Sequence, residues 1–439
     1  MSRNIWLIII VIFSTTTVEA VEETFTPEKR KELVVTISSK VEKLYPFPEI
    51  AQKLSETLRD KIEQGEYDGL ATPDAFSQAI NADLEKISED GHLGLIYDPV
   101  FVSQLKIEKE KDQDGWLARA ELESERWKNF GFTELKILSG NIGYLELRTF
   151  FSLKYAGKTA MATMSYFANC NALIIDLRRN GGGWDDMVTF LASYFFDDED
   201  EHMLNIVRST MDNSYYASMI STFSPGEKLA DIPICILTSG STASAAEAFA
   251  NIMKHLKGSA LLIGERTAGA ENPVEHVILD DAFLLRIPCW QKIHSYDADG
   301  WEGRGVMPDF ETPSADALSV AHLHLLNSLH KTAQSDYLKN RYQWALDGVM
   351  ALQQPAKVSE KKLRSNVGKY GNRTITYQDG ELYFQYKGRS KRKMTPVTES
   401  YFIVDGYDFF RVAFVSKGNV IIRMDEIRED GSATKLMKK

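Results

Sequence analysis

The sequence predicts an α/β core of stacked βα units, with a three-helix module before it and a small antiparallel β domain after it. Three patterns lead there. Residues 27–89 carry apolar side chains at helical spacing, through Leu33, Val34, Ile37 and Val41 and then Ile50, Leu54 and Leu58, the periodicity of helices that bury one face. Residues 136–313 interleave short β-rich runs with helical stretches, which argues for a mainly parallel sheet. Beyond Pro355, short alternating runs are broken by turns at Gln378-Asp379-Gly380 and Val404-Asp405-Gly406, the mark of antiparallel hairpins.

Taken in order, residues 1–20 place Arg3 before an apolar run, Ile5 to Phe13, and end on the small-residue site Val18-Glu19-Ala20. This is the order of a secretory signal peptide cleaved after Ala20, and nine apolar residues are far fewer than the roughly 20 that span a bilayer. The protein is therefore expected to be exported, to a periplasm or the extracellular medium. The helical module, 21–92, starts at Thr26-Pro27 and sets a third helix from Pro73 to Ile87. Its pattern stops at Glu89-Asp90-Gly91-His92, so His92 sits on the turn before the strand Leu93 to Val100. Residues 93–135 are that strand and a polar linker, Lys106 to Glu125, expected on the surface. The core, 136–313, reads as strands at 142–147, 172–177, 234–237, 260–264, 274–279 and 283–287, with helices at 155–169, 185–196 and 243–256. A helical connector, 314–355, leads to the β domain, 356–439.

The composition, 44% hydrophobic and 26% charged, is that of an ordinary folded soluble chain. The net charge of -11 hides an asymmetry: residues 356–439 hold 18 Lys and Arg against 10 Asp and Glu, and the remainder 33 against 52. With no repeating basic helix, the tail, including Arg389-Ser-Lys-Arg-Lys393, reads as a solvated surface and not as a nucleic-acid site. Cys170, Cys235 and Cys289 are an odd number set in apolar segments. They make neither a disulfide framework nor a metal pattern, and are expected as buried thiols.

Two motifs carry chemistry. The strand Ala172 to Leu177 ends in Arg178-Arg-Asn-Gly-Gly-Gly183 ahead of a helix. Glycines there let the backbone approach a ligand and aim N–H groups at it, though they serve equally as a tight turn; no Gly-Lys-Ser/Thr follows, which argues against a phosphate loop. The strand Ile234 to Leu237 leads into Thr238-Ser-Gly-Ser-Thr-Ala-Ser244-Ala-Ala-Glu247. A serine at such a helix start gains from the helix dipole and from N–H groups able to hold an oxyanion. Ser239, Ser241 and Thr242 compete with Ser244 for that role, and the cluster also suits a helix cap.

Together the motifs resemble those of the tail-specific protease and interphotoreceptor retinoid-binding protein group of serine peptidases. The resemblance extends to the N-terminal helices, to Asp90-Gly91-His92-Leu93, and to Trp301-Glu302-Gly-Arg-Gly305-Val-Met-Pro308-Asp309. It implies a crotonase- or Clp-protease-like core and a nucleophile at Ser244. Where members with a serine–lysine dyad carry the lysine, this chain has Ala270, and too few residues separate His92 from the core for a PDZ domain. The resemblance then narrows to the tricorn-like branch, which implies Ser244 as nucleophile, His92 as base and Glu302 as the carboxylate orienting it, an arrangement indifferent to sequence order. In the tricorn pattern a serine precedes the histidine; here it is Gly91. Glu302 has a plainer alternative, a pair with Arg304. The oxyanion would be held by the N–H groups of Ala245 and of Gly182 or Gly183, with no metal or cofactor implied. Of the other histidines, His276 and His294 are candidates for the substrate side, and His202, His255, His322, His324 and His330 read as surface or packing residues. The expected partner is a peptide or protein; the rival readings are a carrier of hydrophobic ligands and an esterase using the same three residues.

Overall fold

The computed structural model describes residues 25–110, 116–197, 203–220, 224–258, 260–297 and 299–439; the expected signal peptide and His202 lie outside them. Helix α1 (Pro27–Leu44) is capped by Thr26, whose hydroxyl accepts the Lys29 N–H at 3.2 Å, and it begins on a proline, where the missing N–H costs nothing. Helix α2 (Pro48–Glu63) also begins on a proline, and α3 (Pro73–Ser88) repeats the threonine-proline start with Thr72. Leu33, Ile37, Leu54, Leu58, Phe76 and Ile80 bury the shared face. After α3, strand β1 (Gly94–Tyr97) is followed by helices α4 (Pro99–Glu110) and α5 (Trp116–Trp127). The expected polar linker Lys106 to Glu125 is thus largely helical. Its Glu, Lys, Gln and Arg residues are polar but good helix formers, so polarity alone is a poor sign of a loop. No helix among the described residues is long and apolar enough to cross a membrane.

The core runs β2 (Phe132–Leu138), β3 (Ile142–Leu147), α6 (Leu153–Tyr166), β4 (Ala172–Asp176), α7 (Asp185–Ser193), β5 (Met203–Ser209), β6 (Tyr215–Met219), β7 (Ile234–Thr238), α8 (Ala245–Leu256), β8 (Ala260–Gly264), β9 (Val274–Ile278), β10 (Phe283–Pro288), β11 (Trp290–His294) and β12 (Phe310–Glu311). Its main sheet has the order β12-β8-β7-β4-β3-β2, parallel except for β2. Strands β3, β4 and β7 are buried on both faces, which accounts for their continuous apolar sequences. One face, with Leu173, Ile175 and Ile236, packs on Phe249 and Met253 of α8. The other, with Ile174, Cys235 and Leu237, packs on α9 (Ala317–Thr332) and α10 (Asp336–Gln353) through Ala321, Leu325 and Leu346. The stretch expected as a connector therefore covers half of the sheet.

Two three-stranded antiparallel sheets flank this layer, β1-β10-β9 and β11-β5-β6. Strands β5, β6 and β11 are not visible in the sequence pattern, and four of the five β6 residues are exposed, which removes the alternation that marks a half-buried strand. All three cysteines are buried and free. The C-terminal unit opens with α11 (Glu360–Ser365) and continues as the meander β13 (Gly368–Tyr370), β14 (Arg373–Gln378), β15 (Glu381–Tyr386), β16 (Arg392–Pro396), β17 (Tyr401–Val404), β18 (Tyr407–Lys417), β19 (Val420–Ile427) and β20 (Ala433–Met437). Tyr370 pairs with Lys438, and the Lys439 N–H reaches Lys369 O at 2.9 Å, so first and last strands meet and the sheet closes on a core of Phe384, Phe402, Val412 and Phe414.

Candidate active site

Ser244 stands at the turn between β7 and α8. The loop before it is tied to the neighbouring β4 loop: Ser239 Oγ donates to Arg178 O at 2.6 Å, Thr242 Oγ1 to Leu177 O at 2.8 Å, and the Ala243 N–H to Asn180 O at 3.1 Å. Ser239 and Thr242, two of the rivals for the nucleophile, are thereby structural. Ser244 itself has φ 54° and ψ -121°, a conformation in which an L-residue is strained and which clusters at functional sites. Glu247, fully buried one turn on, holds the bend. Its carboxylate accepts the N–H of Ser244 at 2.9 Å, of Gly269 at 2.7 Å and of Ala270 at 2.8 Å, and the Thr267 hydroxyl. Burial pushes its pKa up against the pull of those four donors.

The glycine loop closes on this bend. Gly182 has φ 114° and Gly183 φ 141°, and a methyl group on Gly182 would lie 2.7 Å from Ser244 Cβ, closer than nonbonded carbons approach. The Gly182 N–H is already committed, to Asn180 Oδ1 at 2.9 Å, which corrects its place among the expected oxyanion donors. Asn180 is buried and anchored in turn by its Nδ2 to Leu147 O at 3.0 Å. The N–H groups of Gly183 and Ala245 have no acceptor among the described residues, so these two are the available donors.

His92 and Glu302, 210 positions apart in the sequence, are brought together with Asp90. One ligand-type atom of each of the three lies within 4.8 Å of the others. Asp90 is buried; its Oδ1 accepts the His92 N–H at 2.8 Å and its Oδ2 the Tyr45 hydroxyl at 2.9 Å. From β10, Arg286 donates to His92 O at 2.7 Å and Gly91 O at 2.9 Å, fixing the histidine backbone. Glu302 Oε2 accepts the Glu271 N–H, the Asn272 N–H and Asn272 Nδ2, each at 2.9 Å. Glu302 Oε1 and His92 Nδ1 are buried with no hydrogen-bond partner. Arg304 turns instead to the carbonyls of Asp299 and Gly300, both at 2.6 Å, so Glu302 is not its ion-pair partner.

The electrostatics follow from this crowding. Burial lowers the His92 pKa, opposed by the charge of Asp90 and reinforced by Arg286. Burial, with Asp90 adding to it, raises Glu302 to about 8. The shift favours the neutral imidazole, the form a general base needs. The same three side chains are a group with metal-ligand spacing, but both Asp90 oxygens already accept hydrogen bonds from protein donors.

One stretch joins the two halves. Gly269 and Ala270 donate to Glu247, which holds Ser244, and the next two residues, Glu271 and Asn272, donate to Glu302. Ala270 occupies the place of the absent lysine and serves through its N–H. Asp90, Glu271 and Asn272 were not singled out from sequence as site residues. Only Asp90 had a local signal, two residues before His92 at the end of a helix. His294, a substrate-side candidate, is buried and bonded to Glu271 through Nε2. His276 has its pKa lowered by burial and lies edge-on to Phe101.

A strained serine bend with two free N–H donors, and a histidine held beside a glutamic side chain, are group types used in acyl transfer by serine. Family models match the chain in two places: peptidase family S41 over residues 141–312, and the N-terminal domain of peptidase S41 in eukaryotic IRBP over residues 26–126. The chain belongs to peptidase family S41, whose members are serine-type peptidases. Among solved structures it is similar to a lipoprotein from Streptococcus agalactiae (16% identity, 74% of this chain and 100% of that one, TM-score 0.44). It is also similar to the photosystem II D1 C-terminal processing protease (15%, 65% and 93%, TM-score 0.40) and to the tricorn protease (15%, 67% and 35%, TM-score 0.41).

Proposed function

We propose that this peptidase hydrolyses peptide bonds of exported peptides or proteins, with Ser244 as nucleophile, His92 as general base and then acid, and Glu302 as the carboxylate that orients His92. The stacked βα units would correspond to a crotonase- or Clp-protease-like core. The observation that carries the reading is the segment 269–272, which fastens the Ser244 bend with one pair of N–H groups and Glu302 with the next. In the reaction, Ser244 Oγ attacks the carbonyl carbon while its proton passes to His92. The oxyanion falls to the Gly183 and Ala245 N–H groups, and His92 gives the proton to the leaving amine as the C–N bond breaks; a water, deprotonated by His92, then attacks the acyl-Ser244 ester and the proton returns to Ser244 Oγ. Removing one such donor costs roughly 3–4 kcal/mol of transition-state stabilisation. Ser244→Ala, assayed on a peptide library after export of the full chain, is expected to lose more than about a thousandfold in kcat while keeping its fold. Turnover retained in that variant sinks the nucleophile. Covalent labelling of Ser244 by a fluorophosphonate separates this reading from a ligand carrier, and parallel ester substrates separate it from an esterase. Fractionating the producing cells tests the export.

A further inference from the structure

Beside the nucleophile lies a pocket enclosed by α7, α8 and the inner face of the β11-β5-β6 sheet. It meets the proposed site on two sides. Ala248 in its wall is one helical turn from Ser244, whose carbonyl accepts the Ala248 N–H at 2.9 Å, and Trp301 in its opposite wall is the residue before Glu302. Four buried polar atoms that find no hydrogen-bond partner, Asn205 Oδ1, His294 Nδ1, Tyr296 Oη and Trp301 Nε1, all belong to residues that line this one pocket. Asn205 is 6% exposed and Trp301 2%. The Tyr296 hydroxyl lies near the Asn251 side chain but not in hydrogen-bonding geometry. Leaving such atoms unpaired costs about 1–3 kcal/mol each, so their convergence calls for a ligand.

Their chemistry says which. Trp301 and Tyr296 offer N–H and O–H donors. His294 donates through Nε2 to Glu271, and Asn205 Oδ1 is an acceptor. Lys292, with 5% of its side chain exposed, pairs with Asp185 at 3.0 Å, and Asp297 and Glu271 also act on Tyr296, so no positive charge is left over to favour an anionic ligand. The remaining wall, Val188, Leu204 and Ile252, is apolar, and the cavity is small, about 10 Å³. We propose that this pocket binds the hydroxyl of a substrate Ser or Thr side chain, a group that both donates and accepts and matches the water-sized space, at a position flanking the scissile bond.

The proposal rests on the peptidase reading for its placement, and its test is separable from that reading. Peptides matched except at the two flanking residues, carrying Ser or Thr against Ala, Val, Asn, Asp or Lys, are compared in two ways. With the wild-type chain the readout is kcat/KM; with Ser244→Ala it is binding by fluorescence anisotropy, which needs no turnover. At one flanking position the hydroxyl peptides should be favoured at least about tenfold over their apolar counterparts. That ratio should fall toward one in Tyr296→Phe and in Asn205→Leu. A preference for Asn over both Ser and Thr also overturns the pocket. A ratio near one at both positions, a preference for a charged residue, or a preference that survives both substitutions overturns the pocket. Absence of any cleavage by the wild type counts against the peptidase reading, and the binding arm still decides the pocket.

Discussion

Glu271 and Glu302 hold each other's backbone: Glu302 Oε2 accepts the Glu271 N–H at 2.9 Å, and Glu271 Oε2 accepts the Glu302 N–H at 3.0 Å. The exchange fixes Glu302 Oε2 and leaves Oε1 buried and unpaired near His92 and Asp90. Glu271 is itself held by His294, which stacks on Trp301 with ring centroids 4.8 Å apart. The carboxylate proposed to orient the base is thus positioned by a ring of contacts that also forms a wall of the pocket.

The burial of Glu302 has a consequence for stability. Its folded pKa, about 8, lies above the ordinary 4.5. Its contribution to stability is therefore fully present below about pH 4.5 and is lost as the pH rises through about 8. Glu302→Gln keeps an oxygen for the three N–H donors and removes the charge. The variant should match the wild type in melting temperature at pH 4.5 and exceed it at pH 9, while peptide turnover falls at every pH. Equal melting temperatures at pH 9 would show that Glu302 ionises freely in the folded chain.

Asp90 should act on the pH profile through charge. It raises the pKa of His92 and of Glu302. Asp90→Asn therefore lowers both, and the acid limb of kcat/KM, which reports the neutral imidazole, should move to lower pH. Tyr45→Phe keeps the charge and removes only the hydroxyl that Asp90 accepts, so its limb should stay near that of the wild type. An unmoved limb in Asp90→Asn would reduce Asp90 to a scaffold for the His92 N–H.

How much of this was legible beforehand depends on the range of each contact. Ser244, the glycine loop and the turn bearing His92 stand next to strongly periodic strands and helices, so local pattern placed them. Family resemblance chose Ser244 over Ser239, Ser241 and Thr242, made His92 the base, and added Glu302. The contacts that assemble the site are long-range: Glu247 with 269–270, Glu302 with 271–272, Tyr45 with Asp90. None has a periodic signature, because each joins one side chain to the backbone or side chain of a distant loop. The Gly182 N–H was misplaced for a different reason: its partner is local, only two residues away, but Asn180 looks in sequence like any other loop residue. Helices α4 and α5 were missed because their polarity resembled a linker, and β6 because its exposed residues do not alternate.

Glu247 should prove costly to alter. Both its oxygens accept N–H groups, Oε1 from Gly269 and Oε2 from Ser244 and Ala270. In Glu247→Gln one of these positions becomes an NH₂ facing a donor, and a buried donor loses its acceptor, a penalty of about 1–3 kcal/mol. Chemical denaturation should show that loss. Turnover should fall further than the fold does, because the same bond holds the bend at Ser244. A variant with wild-type stability and rate would mean that the bend is held by the loop alone.

The strain at Ser244 gives the last prediction. At φ 54° and ψ -121° the residue sits in the mirror image of extended backbone, which glycine enters freely and an L-residue enters only at a cost of about 1–3 kcal/mol. Both Ser244→Ala and Ser244→Gly remove the nucleophile, but only glycine relieves the backbone. Glycine also gains more freedom in the unfolded chain, which offsets about 0.5–1 kcal/mol of the relief. The glycine variant should therefore unfold at a higher denaturant concentration than the alanine variant, with both inactive. An alanine variant as stable as glycine would show that this bend costs the fold nothing, and that the unusual angles at Ser244 are a relaxed property of the loop, not strain held in place by Glu247.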